Sequence, residues 1–136
     1  MEDLMMKKFA KFSLMLALLV TLTSLVAAQP SQEKEQKYNQ YLINSLMDQN
    51  IGIRCSAAQL LGERKVVEAV EPLSKMLLSE KNCSARLVAA MALYQIGDDR
   101  ALPALKKAAE HDKNKTVRHV ITAIVDKMAQ AHVAQK

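Results

Sequence analysis

The chain has 136 residues, half of them apolar and only 4% aromatic, and it contains no tryptophan. This length allows one domain, whose core must be built from Leu, Val, Ile, Ala and Met, a composition suited to closely packed helices. The net charge of +5 is spread along the sequence. This spread argues against a dedicated nucleic-acid binder, in which Lys and Arg would cluster on one face.

The N-terminus has the three-part pattern of a secretory signal. Three lysines at positions 7, 8 and 11 form a positive flank, residues 12–26 form an apolar run, and small residues precede Gln29. We therefore expect residues 1–28 to be a cleaved signal peptide and the mature protein to be periplasmic or secreted, without stable membrane insertion. An uncleaved membrane anchor is the alternative, because the apolar run is near the short limit for spanning a bilayer.

The remaining chain is self-similar at a shift of 32 residues, the interval that separates Asn50 from Asn82 and Asn82 from Asn114. Other positions in register are Arg54, Arg86 and Arg118; Asp48, Glu80 and Asp112; and Leu61, Leu93 and Val125. A period of this length indicates an array of repeated structural units. We expect a polar linker at 29–36, a repeat domain at 37–130 with repeats at about 37–64, 65–97 and 98–130, and a polar tail at 131–136.

Each repeat has the apolar spacing of two helices. The spacing of Ile53, Ala57, Leu60 and Leu61 predicts one buried helical stripe. In each repeat another apolar stripe comes before the stripe of this kind. The asparagines in register stand just before the second helix of each pair, where a side-chain oxygen can accept hydrogen bonds from first-turn amides. Gly62 and the Gly97-Asp98 pair stand where helices should end, because glycine tolerates a left-handed backbone. The sequence thus predicts an all-α protein of six helices in three hairpins.

The segment from Ala101 to Arg118 resembles a HEAT repeat, in the short form shared with phycobilisome-lyase-type proteins. Residues 48–62 match the Asp, Val-Arg, Ala-Ala and Leu-Gly positions of this family in order. Tyr94 and Asp126 depart from it, because the family prefers Gly at both positions. The resemblance implies an α-solenoid of about three hairpins, a scaffold that serves many functions.

The three arginines in register have two interpretations. They could form a ladder that binds anions. The resemblance instead implies a structural role, in which Arg54, Arg86 and Arg118 pair with groups in the turns of neighbouring repeats. The acidic residues at positions 48, 80 and 112 are the candidate partners.

A partner-binding surface is expected where the repeats differ, since recurring positions serve packing. By resemblance, the second helix of each hairpin lines a concave face, and its variable positions follow at four-residue spacing. The candidate residues on this face are Gln59, Glu63, Leu87, Val88, Met91, Gln95, His119, Ala123 and Lys127. An apolar centre at residues 87, 88 and 91 with a polar rim is typical of protein interfaces. The alternative is that the curvature of the array buries these three side chains.

Cys55 and Cys83 both lie in the part of the chain that we expect to be exported. An even cysteine count outside the cytosol favours a disulfide, and the two positions lie on neighbouring helices. We therefore regard these residues as a disulfide candidate, with two buried free thiols as the alternative.

The sequence carries no pattern that indicates catalysis. It has no Gly-rich phosphate loop, no nucleophile elbow, and no His or Cys set at metal-ligand spacing. We therefore expect no enzymatic activity, no cofactor and no metal. The leading hypothesis is an exported scaffold that binds a protein partner. The alternatives are a bilin-lyase-like helper that presents a ligand, and a structural protein that associates with itself.

Overall fold

A computed structural model describes Met5, Lys11 and residues 29–134. The predicted signal peptide therefore lies outside the described residues, apart from the two single positions. The chain forms two compact units, Met1–Tyr38 and Asn39–Lys136. In the described part of the first unit, the side chains of residues 31–38 are exposed, and Lys37 forms an ion pair of 2.7 Å with Glu33 one helical turn earlier.

The described residues contain helices and no strands. The helices are α1 (Gln29–Ser45), α2 (Ile51–Glu63), α3 (Val70–Ser79), α4 (Cys83–Ile96), α5 (Leu102–His111) and α6 (Lys115–Ala134). A short 3-10 turn precedes α3 at Val67–Ala69, and another precedes α5 at Asp99–Ala101. The predicted all-α fold is confirmed. Residues 29–36, predicted as a linker, form the first half of α1.

The second unit is a stack of helical hairpins. Helices α3 and α4 pack against each other, as do α5 and α6, while α4 packs against α2 on one side and α6 on the other. Helix α3 also packs against α5. Each hairpin thus buries its apolar side on the next one, which is the arrangement of an α-solenoid.

The core combines large and small side chains from successive repeats. The largest fully buried side chains are Leu61, Leu73, Leu77, Leu93, Leu105, Val117 and Ile121. Complete burial of one Leu, Ile or Val side chain contributes about 1.5–3 kcal/mol. Between α2 and α4 the buried residues are mainly alanines, including Ala58, Ala89 and Ala92, and their small volume lets the two helices approach closely.

Asparagine side chains cap the second helix of each hairpin. Asn82 Oδ1 accepts hydrogen bonds from the backbone N–H groups of Ser84 at 2.9 Å and Ala85 at 3.2 Å. Asn50 Oδ1 accepts one such bond, from Gly52 at 2.8 Å. Asn114 likewise caps the start of α6 through bonds from residues 116 and 117. First-turn amides that have no partner inside the helix are thereby satisfied.

The two glycines predicted at helix ends have different roles. Gly97 ends α4 with a left-handed φ of 72°. Gly62 stands at the end of α2, one residue before Glu63, as predicted, but it does not adopt the left-handed conformation. It is buried, and the left-handed residue after that helix is Lys65, with φ of 52°. A Cβ atom on Gly62 would lie 2.7 Å from the Cα atom of Ala92. Gly62 is therefore needed for the close approach of α2 to α4.

Candidate functional site

Arg86 joins the second and third repeats through a buried ion pair. Its Nε donates to Asp112 Oδ2 at 2.6 Å, and its Nη2 donates to Asp112 Oδ1 at 2.8 Å. Its Nη1 donates to the carbonyl oxygens of Glu80 and Lys81, both at 3.0 Å. The side chains of Arg86 and Asp112 are only 4% and 6% exposed. This two-bond geometry is the strongest form of arginine–carboxylate contact.

Arg54 makes the same contacts one repeat earlier. Its Nη2 and Nε each lie 2.8 Å from Glu80 Oε2, and its Nη1 donates to the carbonyl oxygens of Asp48 and Gln49. This pair is slightly more exposed, at 17% for Arg54 and 10% for Glu80. Across the residues that the structure describes, the Arg118 side chain keeps only the contact within its own repeat, from Nη1 to the carbonyl oxygen of Asp112. Each complete ion pair therefore runs from one repeat to the acid of the following repeat.

These contacts change the proton affinity of the acids. The hydrogen bond from Arg86 holds the pKa of Asp112 below its usual 3.8, although burial opposes this effect. Burial is also the largest influence on Glu80 and raises its pKa, but hydrogen bonds from the Asn82 backbone and from Arg54 together bring it below 4.5. The same pairing with Asp112 raises the pKa of Arg86. The guanidinium groups of Arg54 and Arg86 are thus engaged inside the fold.

The nine predicted partner-binding residues lie along α2, α4 and α6, and we call this set the second-helix face. Its exposed members are Gln59, Glu63, Met91, Gln95, His119, Ala123 and Lys127. Leu87 and Val88 are half-buried and pack against the core, whereas Met91 is 42% exposed. Helix packing thus covers part of the apolar centre and leaves Met91 open to solvent.

Polar contacts and a small cavity surround this centre. Gln59 Nε2 donates to Glu63 Oε1 at 2.8 Å, which orders one edge of the face. At the other edge, the C-terminal ends of α4 and α6 border a half-open cavity of about 300 Å³. Gln95 and Lys127 line this cavity together with Ile96 and Met128. The cavity has room for one or two side chains of a partner.

Two grooves along the first helices of the hairpins, which we call the first-helix grooves, were not predicted from the sequence. One lies between α1 and α3 with a volume of about 840 Å³, and the other lies between α3 and α5 with about 460 Å³. Both are lined by Glu71, Ser74 and Leu78, and the buried Ser74 hydroxyl has no hydrogen-bond partner among the residues described. Leu78 is 45% exposed. No repeated motif marks these grooves, because their residues differ between repeats.

Cys55 and Cys83 are both free thiols, the first half-buried and the second exposed. Their pairing in an oxidising compartment stays a prediction. Within the described part of the chain, no three His, Cys, Asp or Glu residues are grouped as they would need to be to hold a metal ion. Among the described helices, none has both the length and the apolar character required to cross a bilayer.

Comparison with known proteins places the chain in a family. No curated protein shows a significant match to it. The family model for HEAT repeats matches residues 39–124, which is more than half of the chain and includes the helices from α2 to α5. Proteins built from these repeats generally serve as scaffolds for protein interaction and are typically not catalytic. The described helices and this match together show that the chain belongs to the HEAT repeat family.

Proposed function

We propose that this protein is an exported scaffold that binds a protein partner through its second-helix face. The observation that carries the proposal is the solvent-open Met91 beside half-buried Leu87 and Val88, at the middle of a face whose rim is polar. Protein interfaces combine an apolar centre, which excludes water, with a polar rim, which stays solvated. A methionine at the centre adapts its shape to the surface of the partner, because its side chain is flexible and polarisable.

The charges on the rim differ between the two ends of this face. Glu63 on α2 and Lys127 on α6 carry opposite charges on either side of the apolar centre. Opposite charges at two ends of an interface steer a partner into one orientation, mainly through the association rate. We therefore expect the partner to place a basic group near α2 and an acidic group near α6.

Export is the second part of the proposal and follows from the N-terminal pattern. Cleavage after Ala28 would give a mature chain that begins with Gln29, the first residue of α1. Intact-mass measurement of the protein from its native cells tests this directly. A mature chain that starts at Gln29 and fractionates outside the cytosol supports export, and a full-length chain in the cytosol contradicts it.

The partner-binding face can be tested by photo-crosslinking in the native cell. A photoreactive amino acid is placed at Met91 in one variant and at Leu78 in the other. The two side chains are similarly exposed, at 42% and 45%, but they lie on the second-helix face and in the first-helix grooves, respectively. Position 78 is therefore a matched control for chance encounters at an exposed apolar residue.

We expect position 91 to give a discrete protein adduct. Adding Leu87→Asp to the same chain should abolish that adduct while circular dichroism still shows a folded helical protein. An adduct from position 78 alone would place the interface in the grooves and contradict the proposed surface. If neither position gives an adduct, the proposal of a protein partner fails.

A further inference from the structure

The ladder of inter-repeat ion pairs is incomplete at both ends. Asp48 occupies the repeat position of Glu80 and Asp112, yet within the described part of the chain its carboxylate accepts only the backbone N–H of Asn50, at 2.7 Å. Arg118 occupies the position of Arg54 and Arg86, yet among these same residues its side chain reaches only a backbone carbonyl. Among the described residues, neither group forms an ion pair. One end of the stack thus presents a carboxylate, and the other end presents a guanidinium.

An exposed apolar side chain shows that the surface around Asp48 is an uncovered end of the stack. Ile53, Ala85 and Val117 share one repeat position. The later two are buried at 0% and 1% exposure, whereas Ile53 is 43% exposed. This position is therefore covered only when another repeat lies before it. We call the surface that contains Asp48 and Ile53 the head.

A position that is buried in the first two repeats and exposed in the last shows that the surface around Arg118 is the other uncovered end. Ala58, Ala90 and Thr122 share another repeat position, and the first two are fully buried while Thr122 is exposed. This position is covered only when another repeat follows. We call the surface that contains Arg118 and Thr122 the tail. Head and tail therefore differ in charge and shape in the same way as the two surfaces that meet between stacked repeats.

We propose that the tail of one copy binds the head of a second copy, with Arg118 donating to Asp48 of the partner copy as Arg86 donates to Asp112. The contact would also cover Ile53 of the second copy. Because the tail carries a cation and the head an anion, neither surface is complementary to itself. The association is thus head-to-tail, and every added copy leaves one head and one tail free. This inference does not depend on the proposed partner face, which lies elsewhere on α2, α4 and α6.

Charge exchange tests the proposal on the purified full chain. Sedimentation velocity is measured at low salt over a range of concentrations for wild type, Asp48→Arg and Arg118→Glu. Each single variant should associate at least about tenfold more weakly, because a like-charged pair replaces the ion pair. Glu68→Arg, an exposed charge reversal in the middle repeat, is the control and should associate like wild type.

Mixing the two single variants gives the decisive result. The arginine introduced at position 48 of one copy faces the glutamate introduced at position 118 of the other, and the remaining ends keep their natural charges. The mixture, and a chain that carries both substitutions, should regain association. A wild type that stays monomeric at all concentrations, single variants that associate normally, or a mixture without recovery would each overturn the proposal. Urea unfolding of each variant first establishes that the chains to be mixed are folded, so that a missing recovery reports on the contact alone.

Discussion

At the scale of single residues, the recurring arginines and asparagines organise the array. Each asparagine satisfies amides at the start of a second helix, and Arg54 and Arg86 each reach the acid of the following repeat. One arginine thereby joins three parts of the structure, namely its own helix, its own turn and the next turn. The regular spacing of these residues along the chain follows from the contacts within and between repeats and does not indicate a ligand site.

A fall in pH should lower the free energy of unfolding, because Asp112 and Glu80 become protonated. Both carboxyl groups have pKa values in the folded protein below their ordinary values of 3.8 and 4.5. The unfolded chain then takes up protons first as the pH falls, so the free energy of unfolding should decrease from about pH 5 downward. Urea titrations at several pH values measure this slope. Asp112→Asn should make the slope shallower, and an unchanged slope in that variant would contradict the role assigned to the carboxylate.

The asparagine caps should differ in strength. Asn82→Ala should lower the free energy of unfolding by about 1 kcal/mol, because two first-turn amides lose their acceptor. Asn50→Ala should cost less, since Asn50 accepts from a single amide. Urea unfolding of the two variants provides the comparison. A larger loss for Asn50→Ala would show that these hydrogen bonds do not determine the cost.

At the scale of elements, the 32-residue period predicts the helices well but does not reveal how closely they approach. The Asn and apolar positions locate α2, α4 and α6, because these residues recur. Gly62 lies at the end of α2 as predicted, yet it serves to permit close contact with Ala92 and not to reverse the backbone. A sequence cannot distinguish these two roles of glycine, since both depend only on the absence of a side chain. The 3-10 turns before α3 and α5 likewise carry no recurring residue type beyond a buried alanine at 69 and 101.

Gly62→Ala should destabilise the protein by about 1–3 kcal/mol, as expected for an added methyl group in a packed core. The new Cβ would lie 2.7 Å from a backbone atom, which cannot move aside as the end of a side chain can. Gly52→Ala is the matched control, because its Cβ would meet only the Asn50 side chain at 3.2 Å. Thermal and urea unfolding measure both. Equal effects of the two substitutions would show that α2 and α4 are not in tight contact at Gly62.

At the scale of the whole molecule, the repeats create two long surfaces with different properties. The second-helix face follows from the sequence, because residues that vary at four-residue spacing must lie along one side of α2, α4 and α6. The degree of burial at Leu87 and Val88 does not follow, since it depends on how far each hairpin rotates against the next. The first-helix grooves around Ser74 and Leu78 also depend on that rotation. The sequence therefore predicts the array and one candidate face, but not the depth of either surface.

A double-mutant cycle on Arg86 and Asp112 tests most directly whether the hairpins hold together through a contact repeated every 32 residues. Arg86→Met should lower the free energy of unfolding by about 3 kcal/mol, because it leaves a buried carboxylate unpaired. Arg54→Met, at the same position of the previous repeat, should cost less because that pair is more exposed. Combined with Asp112→Asn, the cycle should give a coupling energy of about 2 kcal/mol. A coupling energy near zero would contradict the account, since the two side chains would then not join the repeats in solution.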